Sequence, residues 1–334
     1  MITKVGMIRR QIVESQTLYA QIVETLWAYP AGMMYGSFVK KGVKGHSYLY
    51  HQYSVDGKQK QFYLGEAAGE LVELVETWRS MGRELERLTA MALAGGCLRS
   101  DPGSEAVMMR FSESGWFRGG GVLVGSHAFA ALGNILGVKW EKEALKTRDV
   151  DMAAPDRIAI ATKPGIGKVI EEMGYSPIPG LNPKYPPTSY IHRKKRIIID
   201  ILTPETGRPV PHPKSLPGCG VSAMPLRFLD YLLDDSVQAA ILSSTAVAVR
   251  VPNPARFAFH KLILADRRDV SSQVKAKKDL LQAESLFSVL LETRPGDINI
   301  AYEALLKRRW EKHIKRGFDN MGKETRERLK EKLG

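Results

Sequence analysis

Residues 119–154 constrain the fold of this chain more strongly than any other stretch. After a glycine-rich start, the apolar run Val122–Val124 ends at Gly125 and Ser126. Apolar residues at helical spacing follow from 128 to 136. A short apolar run that stops at a turn signal is typical of a buried strand. We therefore predict a strand, a tight turn and a helix in direct succession.

The Gly125-Ser126 turn is a candidate phosphate-binding site. A helix N-terminus presents unpaired backbone N–H groups and a partial positive charge. Glycine also lacks the side chain that would hold a phosphate at a distance. We expect the phosphates of a nucleotide to bind at Gly125 and Ser126.

Two aspartates, Asp149 and Asp151, flank one apolar residue in the segment RDVDM. Residues two apart in a strand point to the same side, so a strand here places both carboxylates on one face. Like charges this close oppose each other's ionisation unless a cation lies between them. Their hard oxygen ligands predict a site for Mg²⁺ or Mn²⁺.

A third aspartate, Asp200, interrupts the apolar β-branched run of residues 196–202. An unpaired charge in a buried strand is costly, which predicts a partner for Asp200. If its strand neighbours that of Asp149, three carboxylates converge in the arrangement used for nucleotidyl transfer. The alternative is three acids on unrelated exposed edges.

These features resemble the DNA polymerase β-like nucleotidyltransferase superfamily. The segments VLVGSHAF, TRDVDMA and RIIIDILT carry the resemblance, which covers roughly residues 119–291. They are similar to a bacterial branch related to the abortive-infection (AbiE-type) toxin nucleotidyltransferases. The interval from Ser126 to Asp149 is longer than the superfamily's usual spacing, and an insertion at residues 138–146 would account for it.

The resemblance implies an α/β (α+β) protein with a mixed sheet, which moves an NMP from an NTP to an acceptor and releases pyrophosphate. It implies that Asp149 and Asp151 hold two metal ions, and that Asp200 binds the catalytic ion and activates the acceptor hydroxyl. It also implies that a Lys and an Asp from successive helices complete the nucleotide site. The matching positions are Lys261, in FAFHKLILADRR, and Asp279, in KKDLLQAESLF. The alternative for these two is surface charge on amphipathic helices.

Composition favours an anionic partner. The formal net charge is +13, which favours nucleic acid ahead of a membrane. Two cysteines offer neither a metal-binding spacing nor a disulfide framework, and no secretory signal is visible, so we expect a cytoplasmic protein. The uncharged residues 119–138 are long enough for a membrane span, but their glycines, His127 and Asn134 argue against one.

Three segments are predicted. Residues 1–100 combine helices with a small antiparallel sheet at 37–41, 46–54 and 58–64, whose last two strands are joined by Asp56-Gly57. Residues 101–225 form the catalytic core, after a linker at 95–104. Residues 226–334 form a helical C-terminal region that completes the nucleotide site. Basic and aromatic residues alternate in the small sheet, which either binds nucleic acid or packs on a helix with a solvated basic face.

Patterns elsewhere predict further elements. They are an amphipathic helix at 8–28 with Ile12 on its apolar side, a helix at 66–93, a strand at 158–162, a helix at 165–173, a hairpin at 189–202 with a basic turn at 193–196, one long strand or a strand pair at 239–251, and a helix at 255–266. The tail, residues 305–334, holds 11 Lys/Arg and five Asp/Glu, a net charge of 11 − 5 = +6, and is predicted to be a basic helix.

Three functions compete. The first is transfer to RNA, in particular a tRNA 3′ end, with a toxin-like or phage-defence role and a cognate antitoxin as partner. The second is transfer of AMP from ATP to a protein side chain. The third is a nucleic-acid-binding protein that has lost catalysis, which the presence of all three carboxylates argues against.

Overall fold

The structure is a computed structural model of the 334-residue chain. It describes residues 8–29, 35–55, 58–140, 145, 147–156, 158, 165–180, 182–209, 212–268 and 272–334. Most of the predicted strand at 158–162 and the Asp56-Gly57 turn lie outside these residues.

The strands are β1 (Arg9–Arg10), β2 (Ser37–Val43), β3 (His46–Val55), β4 (Lys58–Glu66), β5 (Val122–Val124), β6 (Val138–Lys139), β7 (Asp149–Ala153), β8 (Ser176–Pro177), β9 (Ser189–His192), β10 (Ile197–Pro204), β11 (Lys214–Leu216), β12 (Val221–Leu226), β13 (Ser236–Leu242) and β14 (Ala246–Pro252). The helices are α1 (Val13–Ala28), α2 (Gly69–Ala94), α3 (Pro102–Glu113), α4 (Gly125–Ile135), α5 (Ile166–Glu172), α6 (Leu229–Leu233), α7 (Pro254–Arg267), α8 (Gln273–Thr293), α9 (Pro295–Leu306), α10 (Glu311–Asp319) and α11 (Lys323–Leu333).

A mixed sheet of seven strands organises the described part of the chain. Its main path runs β11-β12-β10-β7-β5, and β9 pairs with β10 and carries β8. Strands β7 and β10 are parallel, whereas β5 pairs with β7 in the antiparallel sense. The chain is therefore α+β with a mixed sheet, as predicted.

Alternation along β7 and β10 separates core from surface. Val150, Met152, Ile199 and Ile201 are fully buried, whereas Asp149, Asp151 and Asp200 are only partly buried. The period of two residues gives each strand one apolar face for the core. The predicted common face of Asp149 and Asp151 is confirmed, because burial follows the apolar residues that alternate with them.

Helix α3 begins inside the segment that was predicted to be a linker, residues 95–104. Asp101 accepts a hydrogen bond from the backbone N–H of Ser104 at 2.9 Å, and Pro102 occupies the first turn. An Asp N-cap followed by proline is a strong helix start. The prediction of a linker through residue 104 is therefore wrong, since the same turn-forming residues cap a helix.

The N-terminal elements agree with their predicted types, except that the helix predicted from residue 8 begins at Val13 and Arg9–Arg10 form β1. Strands β2, β3 and β4 form a three-stranded antiparallel sheet, and α1 and α2 are helical. The Tyr19 hydroxyl donates to the Ala240 carbonyl at 2.9 Å, so α1 packs on β13. Ile12, predicted to be on the buried side of α1, is 55% exposed because it precedes the first helical turn. The segment boundaries at 100 and 225 stay a prediction.

In the C-terminal region, the structure shows which form residues 239–251 take and how the basic tail is folded. Residues 236–252 form an antiparallel hairpin rather than one long strand. The tail is not a single basic helix but the two helices α10 and α11, separated at Asn320 and Gly322. Ile314 and Leu329 are buried, so each helix also has an apolar side in the core. Among the described residues, no helix has both the length and the apolar character needed to cross a membrane.

Candidate active site

Four residues lie side by side across the central sheet. Val124 pairs with Asp151, Asp151 with Asp200, and Asp200 with Ser189. Neighbouring strands are about 4.8 Å apart, so the Asp151 and Asp200 carboxylates stand next to each other on one face. Asp149 lies two residues before Asp151 on the same face. The three aspartates therefore lie on one face of two paired strands, as predicted.

The Gly125 turn directly adjoins this pair. Helix α4 begins at Gly125, whose φ is +67°, a conformation that glycine adopts readily. A Cβ atom at Gly125 would lie 2.0 Å from the Asp151 Oδ2 atom. Glycine is therefore required here both for its backbone conformation and for its contact with Asp151. Ser126, the next residue, is 9% exposed at the first turn of α4.

Burial and neighbouring carboxylates raise the pKa of Asp151 and of Asp200. The pKa of Asp151 rises from 3.8 to about 7, first because of burial and then because of the Asp200 charge. Lys261 is the largest influence in the opposite direction. Burial also raises the pKa of Asp200, against a hydrogen bond that the Ser189 hydroxyl donates to it. Negative charge on this face is poorly compensated by the protein alone.

Lys261 and Asp279 form a buried ion pair between α7 and α8. The Lys261 Nζ atom lies 2.7 Å from the Asp279 Oδ1 atom, and the Arg268 Nε atom donates to the other carboxylate oxygen at 3.0 Å. Lys261 is 8% exposed and Asp279 is 3% exposed. Asp279 therefore orients Lys261, whose charge also reaches Asp151. The alternative of surface charges on these helices is wrong, because both side chains are buried.

Two further lysines on α8 act on the carboxylates, and the sequence reasoning missed them. Burial and the Lys261 ammonium lower the pKa of Lys278, while Asp279, Asp151 and Asp149 raise it. Lys275 lies one helical turn earlier and lowers the pKa of Asp200. Spacing of three residues puts both lysines on one helix face. The available signal was the run of cations immediately before Asp279.

His127 and Ser189 were also missed as members of this site. His127 is 7% exposed, and its Nε2 atom has no hydrogen-bond partner among the described residues. Burial lowers its pKa, whereas Asp101 and Asp149 raise it. His127 follows the Gly-Ser turn directly, which was the available signal. Ser189 could be placed only through the register of β9 and β10.

A basic cleft of about 360 Å³ opens at the start of β7 and β10. Its cations are Arg148, Lys194, Lys195 and Arg196, with Asp101 also at its wall. All four cations are exposed. The predicted basic turn at 193–196 thus lies beside the strand that carries Asp149.

The donor chemistry fits a divalent ion. Within the part of the chain that the structure describes, no three His, Cys, Asp or Glu side chains are arranged to hold a metal by themselves. Mg²⁺ is usually bound by one or two carboxylates together with substrate phosphates and water. Adjacent carboxylates with raised pKa values beside the candidate phosphate-binding turn match that requirement, because a cation offsets their repulsion.

Comparison with known proteins identifies the chemistry. A family model described as Nucleotidyltransferase matches residues 103–307, more than half of the chain. The chain belongs to this nucleotidyltransferase family. Such an enzyme takes an NTP, and the family in general uses a divalent metal. No curated protein and no solved structure matches the chain. All seven predicted site residues of this nucleotidyltransferase, from Gly125 to Asp279, lie inside the matched region.

Proposed function

We propose that this chain is a metal-dependent nucleotidyltransferase with a DNA polymerase β-like core, which transfers an NMP to RNA. The observation that carries the proposal is the adjacency of the Gly125 turn, Asp151 and Asp200 on one face of the sheet. Phosphate-binding backbone and metal-binding carboxylates are the two parts that in-line nucleotidyl transfer needs side by side.

Each residue has a role in this proposal. The backbone of Gly125 and Ser126 holds the β- and γ-phosphates at the start of α4. Asp149 and Asp151 hold the divalent ions, Mg²⁺ or Mn²⁺, and Asp200 shares the catalytic one. A bound ion of this kind polarises the phosphoryl oxygens and neutralises the charge that develops on them.

The reaction ends with the loss of pyrophosphate. Asp200 accepts the proton of the acceptor hydroxyl, whose oxygen forms a bond to the α-phosphorus as the bond to pyrophosphate breaks. Lys261, fixed by Asp279, is a point charge for the phosphates. Lys278 adds a second cation next to the same carboxylates.

Two surfaces support RNA as the acceptor. The basic cleft with Arg148 and Lys194 lies beside the start of β7 and suits a phosphate backbone. On the N-terminal sheet, the Tyr50 and Tyr63 rings are 5.5 Å apart, and the Lys41 ammonium lies 4.9 Å from the Tyr50 ring centre. Tyr63 is exposed and Tyr50 is partly buried, and aromatic rings beside a cation suit single-stranded nucleic acid.

The biological setting in this proposal comes from the resemblance to AbiE-type toxins. A tRNA 3′ end is the acceptor, a cognate antitoxin is the partner, and the role is phage defence. Cys97 and Cys219 are both buried and unpaired, which supports a reducing compartment such as the cytoplasm.

The test is transfer of label from each of the four α-labelled NTPs, with Mg²⁺, to total RNA or to lysate protein. We expect label in RNA, loss of transfer with EDTA, and loss of transfer in Asp149→Ala. Asp200→Asn should reduce transfer by several orders of magnitude while NTP affinity stays within a few-fold, because Asp200 does not hold the phosphates. Label in protein alone would favour AMP transfer to a side chain, and no label in either fraction would contradict the proposal.

A further inference from the structure

A cavity of about 620 Å³ lies on the far side of Asp200 from the Gly125 turn. Ser189 and Thr188 line it, and the Ser189 hydroxyl donates a hydrogen bond to the Asp200 carboxylate. Its volume is within the range of small-molecule sites in proteins. Ser189 therefore connects the cavity to the sheet face that carries Asp200.

The cavity wall is neutral. The described residues that line it include no Asp, Glu, Lys or Arg. Its rim carries Tyr185 and Met224, which are 41% and 39% exposed, and Pro186 and Pro187 add apolar surface. Neutral apolar walls disfavour a phosphate and favour an uncharged group, because an unpaired charge is costly to remove from water.

Tyr185 gives the cavity a preference for a planar group. Its ring is stacked on His212, with 5.4 Å between ring centres and 24° between planes. This stack fixes the orientation of an exposed tyrosine ring. Asn182 lies at the same wall and adds an amide that can pair with the polar edge of a base.

The register of the sheet decides which substrate this cavity faces. Across the strands the order is the Gly125 turn, Asp151, Asp200, Ser189 and then the cavity. In-line transfer places the leaving pyrophosphate and the acceptor hydroxyl on opposite sides of the α-phosphorus. With the phosphates at Gly125, the Ser189 side is left for the acceptor.

We propose that this cavity binds the 3′-terminal nucleobase of the acceptor RNA, stacked on Tyr185, and so places the terminal ribose hydroxyl at Asp200. This inference rests on the proposed function, since it names the acceptor subsite of the same centre. The basic turn at 193–196 lies at the other end of β9 and β10, about 10 Å away at 3.3 Å per residue. That separation lets the RNA phosphates bind outside the neutral cavity.

The test is a double-mutant cycle that needs no catalysis. Binding of a short fluorescent oligoribonucleotide is measured by anisotropy, with its 3′-terminal base present or replaced by an abasic residue, for the wild-type chain and for Tyr185→Ala. Loss of one stacked base lowers affinity by about tenfold. We expect this loss for the abasic oligonucleotide in the wild-type chain and for the intact one in Tyr185→Ala, with no further loss when both changes are combined.

Tyr29→Ala is the matched control, since Tyr29 is 43% exposed and does not line the cavity. It should retain the preference for the intact oligonucleotide. Comparable affinity of the wild-type chain for the intact and abasic oligonucleotides, or a preserved preference in Tyr185→Ala, would overturn the assignment. Absence of label transfer together with an intact cycle would refute the proposed function and leave the base pocket standing.

Kinetics give a second readout. In a transfer assay, Tyr185→Ala should raise the KM for RNA about tenfold and leave the Kd for NTP unchanged, because NTP binds on the other side of Asp200. An equal change in both constants would indicate a general structural effect and contradict the subsite.

Discussion

Asp151 and Asp200 are directly paired on the adjacent parallel strands β7 and β10, so their carboxylates share one face of the sheet. Burial and this proximity raise the pKa of Asp151 from 3.8 to about 7. The pair is thus a source of instability that a cation or a proton relieves.

The first prediction concerns pH and stability without metal. Unfolded Asp151 releases its proton near pH 3.8 and folded Asp151 near 7, so between these values unfolding releases a proton. The free energy of unfolding should fall as pH rises through this window, by up to about 1.4 kcal/mol per pH unit from this group. In Asp151→Asn, the free energy of unfolding measured by chemical denaturation should fall less over the same pH window. The exposed control Glu303→Gln should match the wild-type slope, and a wild-type slope in Asp151→Asn would contradict the assignment.

The second prediction concerns Gly125. In Gly125→Ala the new methyl group collides with the Asp151 carboxylate. The alanine must also adopt a positive φ, which is strained for any residue with a Cβ atom. Gly220→Ala is the control, since its φ is +66° and a Cβ there has nothing within 4 Å. Both variants should lose about 1–2 kcal/mol of stability from backbone strain. Only Gly125→Ala should also lose transfer by about 100-fold, because small displacements at a reacting centre are costly. Equal transfer rates in the two variants would refute the role of the contact.

The third prediction concerns Lys278. If its ammonium contacts the triphosphate, Lys278→Gln should raise the Kd for Mg·NTP about tenfold, the value of one charged hydrogen bond. Lys277→Gln is the control, since Lys277 is exposed on another side of α8. Calorimetric titration of both variants measures the difference. Indistinguishable Kd values would remove Lys278 from the nucleotide site.

The fourth prediction concerns salt. The log of RNA affinity should fall with log salt by about 0.7 per contacted phosphate of a single strand, because each contact releases counterions. Replacing Arg148 and Lys194 by Gln should flatten this slope without changing NTP affinity. Lys323→Gln is the control and should keep the slope, since the Lys323 side chain is 80% exposed at the start of α11. An affinity for RNA that is constant between low and physiological salt would contradict the RNA proposal.

Local patterns were sufficient for much of the site. The strand, the turn at Gly125 and the helix after it follow from an apolar run, a glycine and helical spacing, all of which act over a few residues. The faces of β7 and β10 follow from alternation. The lone Asp200 in an apolar run was also sufficient to predict a partner, because burial of a single charge is so unfavourable.

Local patterns failed where capping or long-range packing competes with composition. The segment read as a linker at Ser104 instead caps α3 through Asp101. The charged tail read as one helix is two helices. Within the first of them, Gly317 packs directly against Leu262, where a Cβ atom would lie 3.0 Å from the Leu262 Cβ. Such a close contact cannot be predicted from charge composition alone.

The sequence by itself determined which residues are candidates for the chemistry, since Asp149, Asp151, Asp200 and the Gly125 turn each have a local signal. Only the tertiary structure decided their order across the sheet, with Gly125 against Asp151 at one side and Ser189 with its cavity at the other. It also decided that Asp279 pairs with both Lys261 and Arg268. The physical reason is that strand register and helix packing are set by the burial of faces far apart in the chain, and no short stretch of sequence contains both partners.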